Sequence, residues 1–358
     1  MTRAPHRPRR RAPAAWPGLL EMLRRDGVPL SPAAEATALT GGVSSRIYRV
    51  RDGEQDFVVK SALARLRVAS DWRSDPGRNR YEQRYLRYVG SLFPGTVPRI
   101  LFASDFHGYF AMEHFGAGFT NWQAALQRGE CDPRMARQAM TLLARIHASS
   151  RGRPDLARQF ATTRNFRQLR TDPCLRTAAR RHPALARCLV REAARLERTR
   201  ECLVHGDFSP KNLLAGSGRV VLLDGAAAWY GDPAFDVAWL LHHLCLKGLR
   251  HAPADPGLGK LFAAAVRAYF AGGQGSRREA ARLDRRSARL LLMLLLARVD
   301  DQSRGEGPRG KKAEFVRRFV GGLLPGFAGR LAEVRERWFG ALAEEFDRKS
   351  KSGAPARR

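Results

Sequence analysis

The sequence predicts an α+β protein of two lobes, a small β-rich N-lobe followed by a larger, mostly helical C-lobe. Three observations carry this: a strand–turn–strand pattern near residue 50, helical periodicity after about residue 120, and a short β-like island at 203–223. A length of 358 residues suits two such units. A hydrophobic content of 44% excludes a wholly disordered chain.

The elements follow in order. Residues 1–15 are basic and Pro-rich and read as a disordered tail. The N-lobe is placed at 16–115. Within it, Arg46–Val50 and Asp56–Lys60 flank Asp52-Gly53, a hairpin turn signal. Tyr81, Tyr85, Tyr88, Val89 and Leu92 then fall at helical spacing. Phe110–Phe115 is a short apolar stretch that runs into Gly116 and Gly118, where the lobes are divided. The C-lobe is placed at 116–347. Ala136, Ala139, Met140, Leu143, Ile146 and His147 share one helix face, with Asp132 as candidate cap and Pro133 in the first turn. Helical patterns return from 233 to 345, and Leu290–Ala297 is an eight-residue apolar run, too short to span a bilayer. Residues 348–358 read as a second basic tail.

The formal charge is +30, but 56 of the 64 basic residues are arginine, a bias that GC-rich codon usage would produce whatever the function. Residues 151–200 hold fourteen arginines against Asp155, Asp172, Glu192 and Glu197, with only Phe160 and Phe166 as aromatics. Single-strand readers interleave aromatics with their basic residues, so this stretch reads as a solvated helical face and nucleic acid is not the expected partner. The five cysteines are scattered without a Cys-x-x-Cys pair, which fits neither a disulfide framework nor a zinc site and suits a reducing, cytoplasmic location. No membrane partner is expected, and oligomeric state is left open.

The β-like island carries the chemistry. It reads His205-Gly-Asp207-Phe-Ser-Pro-Lys-Asn212, then Arg219-Val-Val-Leu-Leu-Asp224, with a turn at 215–218. A hairpin there brings Asn212 and Asp224 together as a hard-oxygen pair suited to Mg²⁺, which prefers few protein ligands plus phosphate oxygens. Asp207 would sit beside that metal and accept a proton from a hydroxyl attacking a phosphate. His205 reads as a residue orienting this loop, and Asp232 and Asp236 as caps or braces of the helix that follows.

The strings HGDFSPKN (205–212) and LLDGAAAWYGDPAFDVAWLL (222–241) resemble the catalytic loop and metal-binding segment of the aminoglycoside phosphotransferase and choline kinase superfamily. The resemblance covers roughly residues 37–300 and implies a protein-kinase-like fold. It implies transfer of the γ-phosphoryl group of ATP, with Mg²⁺, to a hydroxyl of a small molecule, and catalysis by Asp207 with metal at Asn212 and Asp224. On the nucleotide side it implies the turn at 40–45 (Gly41, Gly42, Ser44), Lys60 on the triphosphate, Glu82 paired with Lys60, and a hinge of Met112, Glu113 and His114 whose backbone holds adenine.

A finer similarity runs from Lys60 through Ala62, Leu63, Arg67, Val68, Trp72 and Arg78 to Glu82, where the chain is similar to methylthioribose kinases. Arg298 lies where those enzymes place a substrate-contacting arginine. Ala226 departs from them, standing where the family commonly has an acidic residue. Three readings of function result: a kinase for a sugar- or nucleoside-like acceptor, an aminoglycoside O-phosphotransferase conferring resistance, and a nucleotide-binding pseudokinase. A polycationic acceptor needs acidic residues around it, and a chain with 34 acids in 358 residues favours a neutral or anionic one.

Overall fold

A computed structural model of the protein describes residues 16–39, 43–67, 72–255, 257–273, 275–300 and 307–351. Most of the tail at 348–358, and all of that at 1–15, lies outside them. The last helix continues to Lys351, into the segment read as a tail.

The N-lobe is an antiparallel five-stranded sheet of order β1-β2-β3-β5-β4. Its strands are β1 (Glu35–Ala38), β2 (Ser45–Asp52), β3 (Gln55–Ala62), β4 (Ile100–Ser104) and β5 (Tyr109–Glu113). The β2–β3 turn sits one residue later than predicted. Asp52 pairs with Gln55, so Gly53 and Glu54 make the turn, and Gly53 takes the left-handed φ of 58°. Alternation along β3 decides what each sheet face does. Phe57 and Val59 join Tyr109 and Ala111 against α1 (Leu19–Arg25). Val58, with its cross-strand partner Met112, packs with Tyr85, Leu86 and Val89 of α2 (Arg78–Leu92). Lys60, two residues beyond Val58, therefore lies on the α2 face.

The C-lobe opens with a short strand the sequence reading missed, β6 (Phe119–Asn121), which pairs with the β8–β9 hairpin (Leu213–Gly216 and Arg219–Leu222). Asn121 caps α3 (Trp122–Gln127), and Asp132 Oδ1 caps α4 (Pro133–Ser150) by accepting from Arg134 N at 2.8 Å. Next come α5 (Pro154–Gln159), α6 (Thr163–Phe166), a π-helical run at Arg167–Arg176, α7 (Thr177–Arg181) and α8 (Pro183–Arg198). A second small sheet pairs β7 (Cys202–Val204) with β10 (Trp229–Gly231). Helices α9 (Ala234–His251), α10 (Leu258–Ala271), α11 (Arg277–Asp300), α12 (Lys311–Leu323) and α13 (Leu331–Lys351) complete the lobe. Leu290–Ala297 is buried within α11, and one apolar core extends from α2 through α4, α9 and α11. Among the described residues no helix is long and apolar enough to cross a membrane.

The arginine-rich stretch is only partly a solvated face. Glu197 gathers Arg167 and Arg176, Arg195 bridges Glu192 and Asp232, and Arg170 is buried. Four acids in the segment are enough because arginines also reach acids and carbonyls elsewhere.

Candidate active site

The β8–β9 hairpin turns through Ser217 and Gly218, with φ of 50° and 72°, the paired left-handed geometry of a tight two-residue hairpin turn. Leu213 pairs with Leu222, and one step further Leu223 N donates to Asn212 O at 2.8 Å. Asn212 and Asp224 thus arrive at the same end of the hairpin. Asn212 Nδ2 donates back to Asp207 O at 2.9 Å, which ties the motif's two ends together and leaves its amide oxygen for another partner. Asp224 holds a left-handed φ of 64°, and Gly225 follows because a Cβ there would stand 2.8 Å from the Tyr85 ring.

Lys60 crosses between lobes. Its Nζ lies 2.7 Å from Glu82 Oε1 and 2.8 Å from Asp224 Oδ1, with Lys60 and Glu82 almost wholly buried. Burial opposes the charged form of each group. Against it, the charges of Asp224 and Glu82 hold Lys60 protonated and raise its pKa. Burial wins at Glu82, whose carboxyl is pushed up to about 7 despite Lys60. Asp224 is only part-buried, and Lys60 and Lys211 bring it down to about 2 against the desolvation it does suffer.

Asp207 is 4% exposed, and its two oxygens differ. Oδ1 accepts from Trp239 Nε1 at 2.9 Å and faces Arg170 Nη2 at 3.2 Å. Oδ2 meets Lys211 Nζ at 2.7 Å. His205 orients the loop: Nδ1 accepts from Asp207 N at 3.1 Å and Nε2 donates to Leu223 O at 3.0 Å. Burial lowers its pKa, so it stays neutral in that tautomer. Asp236 accepts from His205 N and Gly206 N at 2.7 and 2.9 Å, and His147 Nε2 lies 3.2 Å from it. Asp236 therefore braces the loop at 205–207 and not only its own helix. Asp232 caps α9 through Ala234 N at 2.9 Å and also holds Arg286.

The hinge is less simply arranged. Met112 is buried in the core, Glu113 Oε2 accepts from Arg99 N, and His114 Nδ1 lies 3.1 Å from Asp56 Oδ2. The backbone here is part of the sheet as well: Met112 pairs with Val58 and Ile100, and Glu113 N donates to Arg99 O at 2.9 Å. Ser44 O accepts from Leu63 N at 2.8 Å and from Arg78 Nη2. Gly41 and Gly42 lie outside the described residues.

Sequence reasoning passed over Trp239 and Arg170 at this site and gave Lys211, noted at a motif position, no role. Trp239 lay inside the recognised 222–241 string without a role. Lys211 had one signal, being one of only eight lysines. Arg170 had none, as one of fourteen arginines in its segment.

The fold and the site together define a two-lobed, kinase-like protein in which a buried lysine of the sheet lobe joins a helix glutamate to Asp224 at the end of a C-lobe hairpin, with the buried carboxylate of Asp207 on the loop before that hairpin. The chain matches the model of the phosphotransferase enzyme family (APH) over residues 35–291, and it belongs to that family. It is 24% identical over 251 residues to a methylthioribose kinase of Exiguobacterium sibiricum, covering 63% of this chain and 64% of that one. Its fold is similar to that of an amicoumacin kinase solved with AMP-PNP, Ca²⁺ and Ami (TM-score 0.55, 13% identity, 88% of this chain and 93% of that one). It is also similar to an ethanolamine kinase of Plasmodium vivax (TM-score 0.52, 10% identity, 92% and 88%).

Proposed function

We propose that the protein moves the γ-phosphoryl group of ATP to a hydroxyl of a small molecule, with Mg²⁺. The observation that carries this is Lys60 Nζ bonded at once to Glu82 and Asp224, at the end of the hairpin that follows the Asp207 loop. Asn212 Oδ1 and the Asp224 carboxylate fit a hard cation, since both are oxygen donors and the amide nitrogen is already spent on Asp207 O. Bound there, Mg²⁺ would neutralise charge on the triphosphate.

The chain's own residues do the rest. Lys60 binds phosphate oxygens, and the backbone at Met112, Glu113 and His114 and the turn that contains Ser44 are the nucleotide-side contacts. Asp207 Oδ2 accepts the acceptor's hydroxyl hydrogen and aligns its oxygen for in-line attack. Such catalysis is mostly positioning and charge neutralisation.

The acceptor is a neutral or anionic hydroxyl compound, sugar- or nucleoside-like. Two cations, Arg170 and Lys211, flank Asp207, which disfavours a polycationic aminoglycoside. Ala226 supplies no carboxylate, and its carbonyl accepts from Asn165 Nδ2 at 2.8 Å; every other position that a pseudokinase would lack is filled. The test is to incubate purified protein and Mg·ATP with a metabolite extract and, separately, an aminoglycoside panel. The expected product gains the mass of one phosphoryl group from the extract. Efficient phosphorylation of the aminoglycosides alone would overturn the acceptor assignment.

A further inference from the structure

The segment carrying Arg170 is unusual in its own right. Residues 167–176 are wound as a π-helix with Pro173 inside, and wide turns of this kind are rare and concentrate at functional sites. In a π-helix each N–H reaches the carbonyl five residues back, so Pro173, which has no N–H, leaves Gln168 O without that donor. Arg170 Nη1 donates to the neighbouring carbonyl, Leu169 O, at 2.8 Å. The same guanidinium donates through Nε to Gly206 O, reaches Asp207 Oδ1 through Nη2 at 3.2 Å, and lies 5.0 Å from the centre of the Trp239 ring. Arg170 is 5% exposed, so it has no freedom to leave.

The other side of this segment is held by the N-lobe. Trp72 Nε1 donates to Gln168 O at 2.9 Å, and Asp75 N donates to Gln168 Oε1 at 3.3 Å. Leu66, Val43 and Trp72 pack with Leu169 and Ala227. Trp72 and Asp75 lie on the connection between Lys60's strand and Glu82's helix. Arg78 fastens that connection, donating to Leu63 O at 2.7 Å and Asp75 O at 2.9 Å. Contacts thus run without a break from the Lys60 side through Gln168, Leu169 and Arg170 to Asp207.

We propose that Arg170 is a positioning residue that fixes Asp207 Oδ1 and makes that placement depend on the docking of Trp72 against Gln168. The proposal rests on the phosphotransferase reading of the site. It divides the labour of the carboxylate. Oδ1 is the held oxygen, gripped by the buried donors Arg170 and Trp239. Oδ2, which carries the part-exposed Lys211, is the working one. As the acceptor oxygen bonds to the γ-phosphorus, the bond to the β,γ-bridging oxygen breaks and ADP leaves with that electron pair. The hydroxyl proton passes to Asp207 Oδ2, and Arg170 neither gains nor loses one.

The test compares wild type, Arg170→Met, Arg170→Lys, Trp72→Phe and the Trp72→Phe/Arg170→Met double variant. Each is assayed for Mg·ATP turnover with the acceptor from the extract screen, or with water as acceptor. A misplacement of about 1 Å costs on the order of 100-fold, so Arg170→Met should lower kcat by about that factor with KM for ATP within about twofold. Arg170→Lys should recover part of the loss. Trp72→Phe should lower kcat less, and the double variant should be no slower than Arg170→Met, the mark of residues acting through one segment.

Unchanged kcat in Arg170→Met, fully multiplying effects in the double variant, or a KM for ATP that rises as kcat falls would overturn the proposal. If Arg170→Met does not fold, Arg170→Lys serves: a kcat equal to wild type overturns it, and a loss at constant KM supports it. Absence of any Mg²⁺-dependent turnover in wild type would overturn the reading of the site and this inference with it. Wild-type turnover with an unaffected Arg170→Met would overturn this inference alone.

Discussion

Lys60 and Asp224, 164 positions apart, meet at 2.8 Å, and the same ammonium holds Glu82 at 2.7 Å. One buried cation thus joins a strand of the N-lobe, a helix of the N-lobe and the hairpin end of the C-lobe. Removing one partner of a buried ion pair strands the other, at a cost of about 3–5 kcal/mol. Lys60→Met is therefore expected to lose about that much stability in urea denaturation. Lys60→Met/Glu82→Leu should recover much of it, because the fully buried carboxylate is gone while the part-exposed Asp224 still has Lys211 near it, yet remain inactive. Equal stability of Lys60→Met and wild type would contradict the ion-pair account.

Gly206 has a left-handed φ of 76°, and a Cβ there would fall 2.3 Å from Ala227 O. Backbone cannot move aside as a flexible side chain can. Gly206→Ala should cost at least about 2 kcal/mol and displace the neighbouring Asp207. Chemical denaturation and turnover assays check both, and a stable, fully active variant would show that the loop tolerates the change.

Much of this centre was legible in the sequence, for physical reasons. Asp207, Asn212 and Asp224 lie within eighteen residues, so local hairpin geometry alone brings them together. Glu82 was legible only through the family resemblance, which pairs a helix glutamate with the strand lysine; the helical spacing by itself gave the helix and not the partner. Arg170 and Trp239 were not, because their contacts with Asp207 depend on how α9 and the π-helical run cross, and no local pattern encodes that. The β2–β3 turn was misplaced by one residue because Asp52-Gly53 and Gly53-Glu54 offer the same glycine, and cross-strand pairing chose between them. Met112, Glu113 and His114 were read as a hinge, but the side chains of Glu113 and His114 are taken up by Arg99 and Asp56, partners set by sheet order that no local pattern encodes.

His242 gives a pH prediction. Burial lowers its pKa to about 3, from an ordinary value of 6.5, with Arg298 adding to the effect. Below pH 6.5 the unfolded chain binds a proton that the folded chain does not, so stability falls as pH drops from 6.5 towards 3. The slope for one proton is about 1.4 kcal/mol per pH unit. His242→Gln should remove that component: its stability, measured by denaturant titration, should depend less steeply on pH between 6.5 and 4. An identical slope in both proteins would mean that His242 is charged in the folded state.

The central claim is that Asp207 and the Lys60–Asp224 centre carry out Mg²⁺-dependent phosphoryl transfer, and one side-by-side measurement tests it most directly. Wild type and Asp207→Ala are given γ-labelled ATP and the acceptor fraction, with Mg²⁺ and with EDTA, while nucleotide binding is measured calorimetrically. The account predicts labelled product only for wild type with Mg²⁺, and nucleotide affinities within about threefold of each other. Full turnover by Asp207→Ala, or transfer by wild type that EDTA leaves intact, would contradict it.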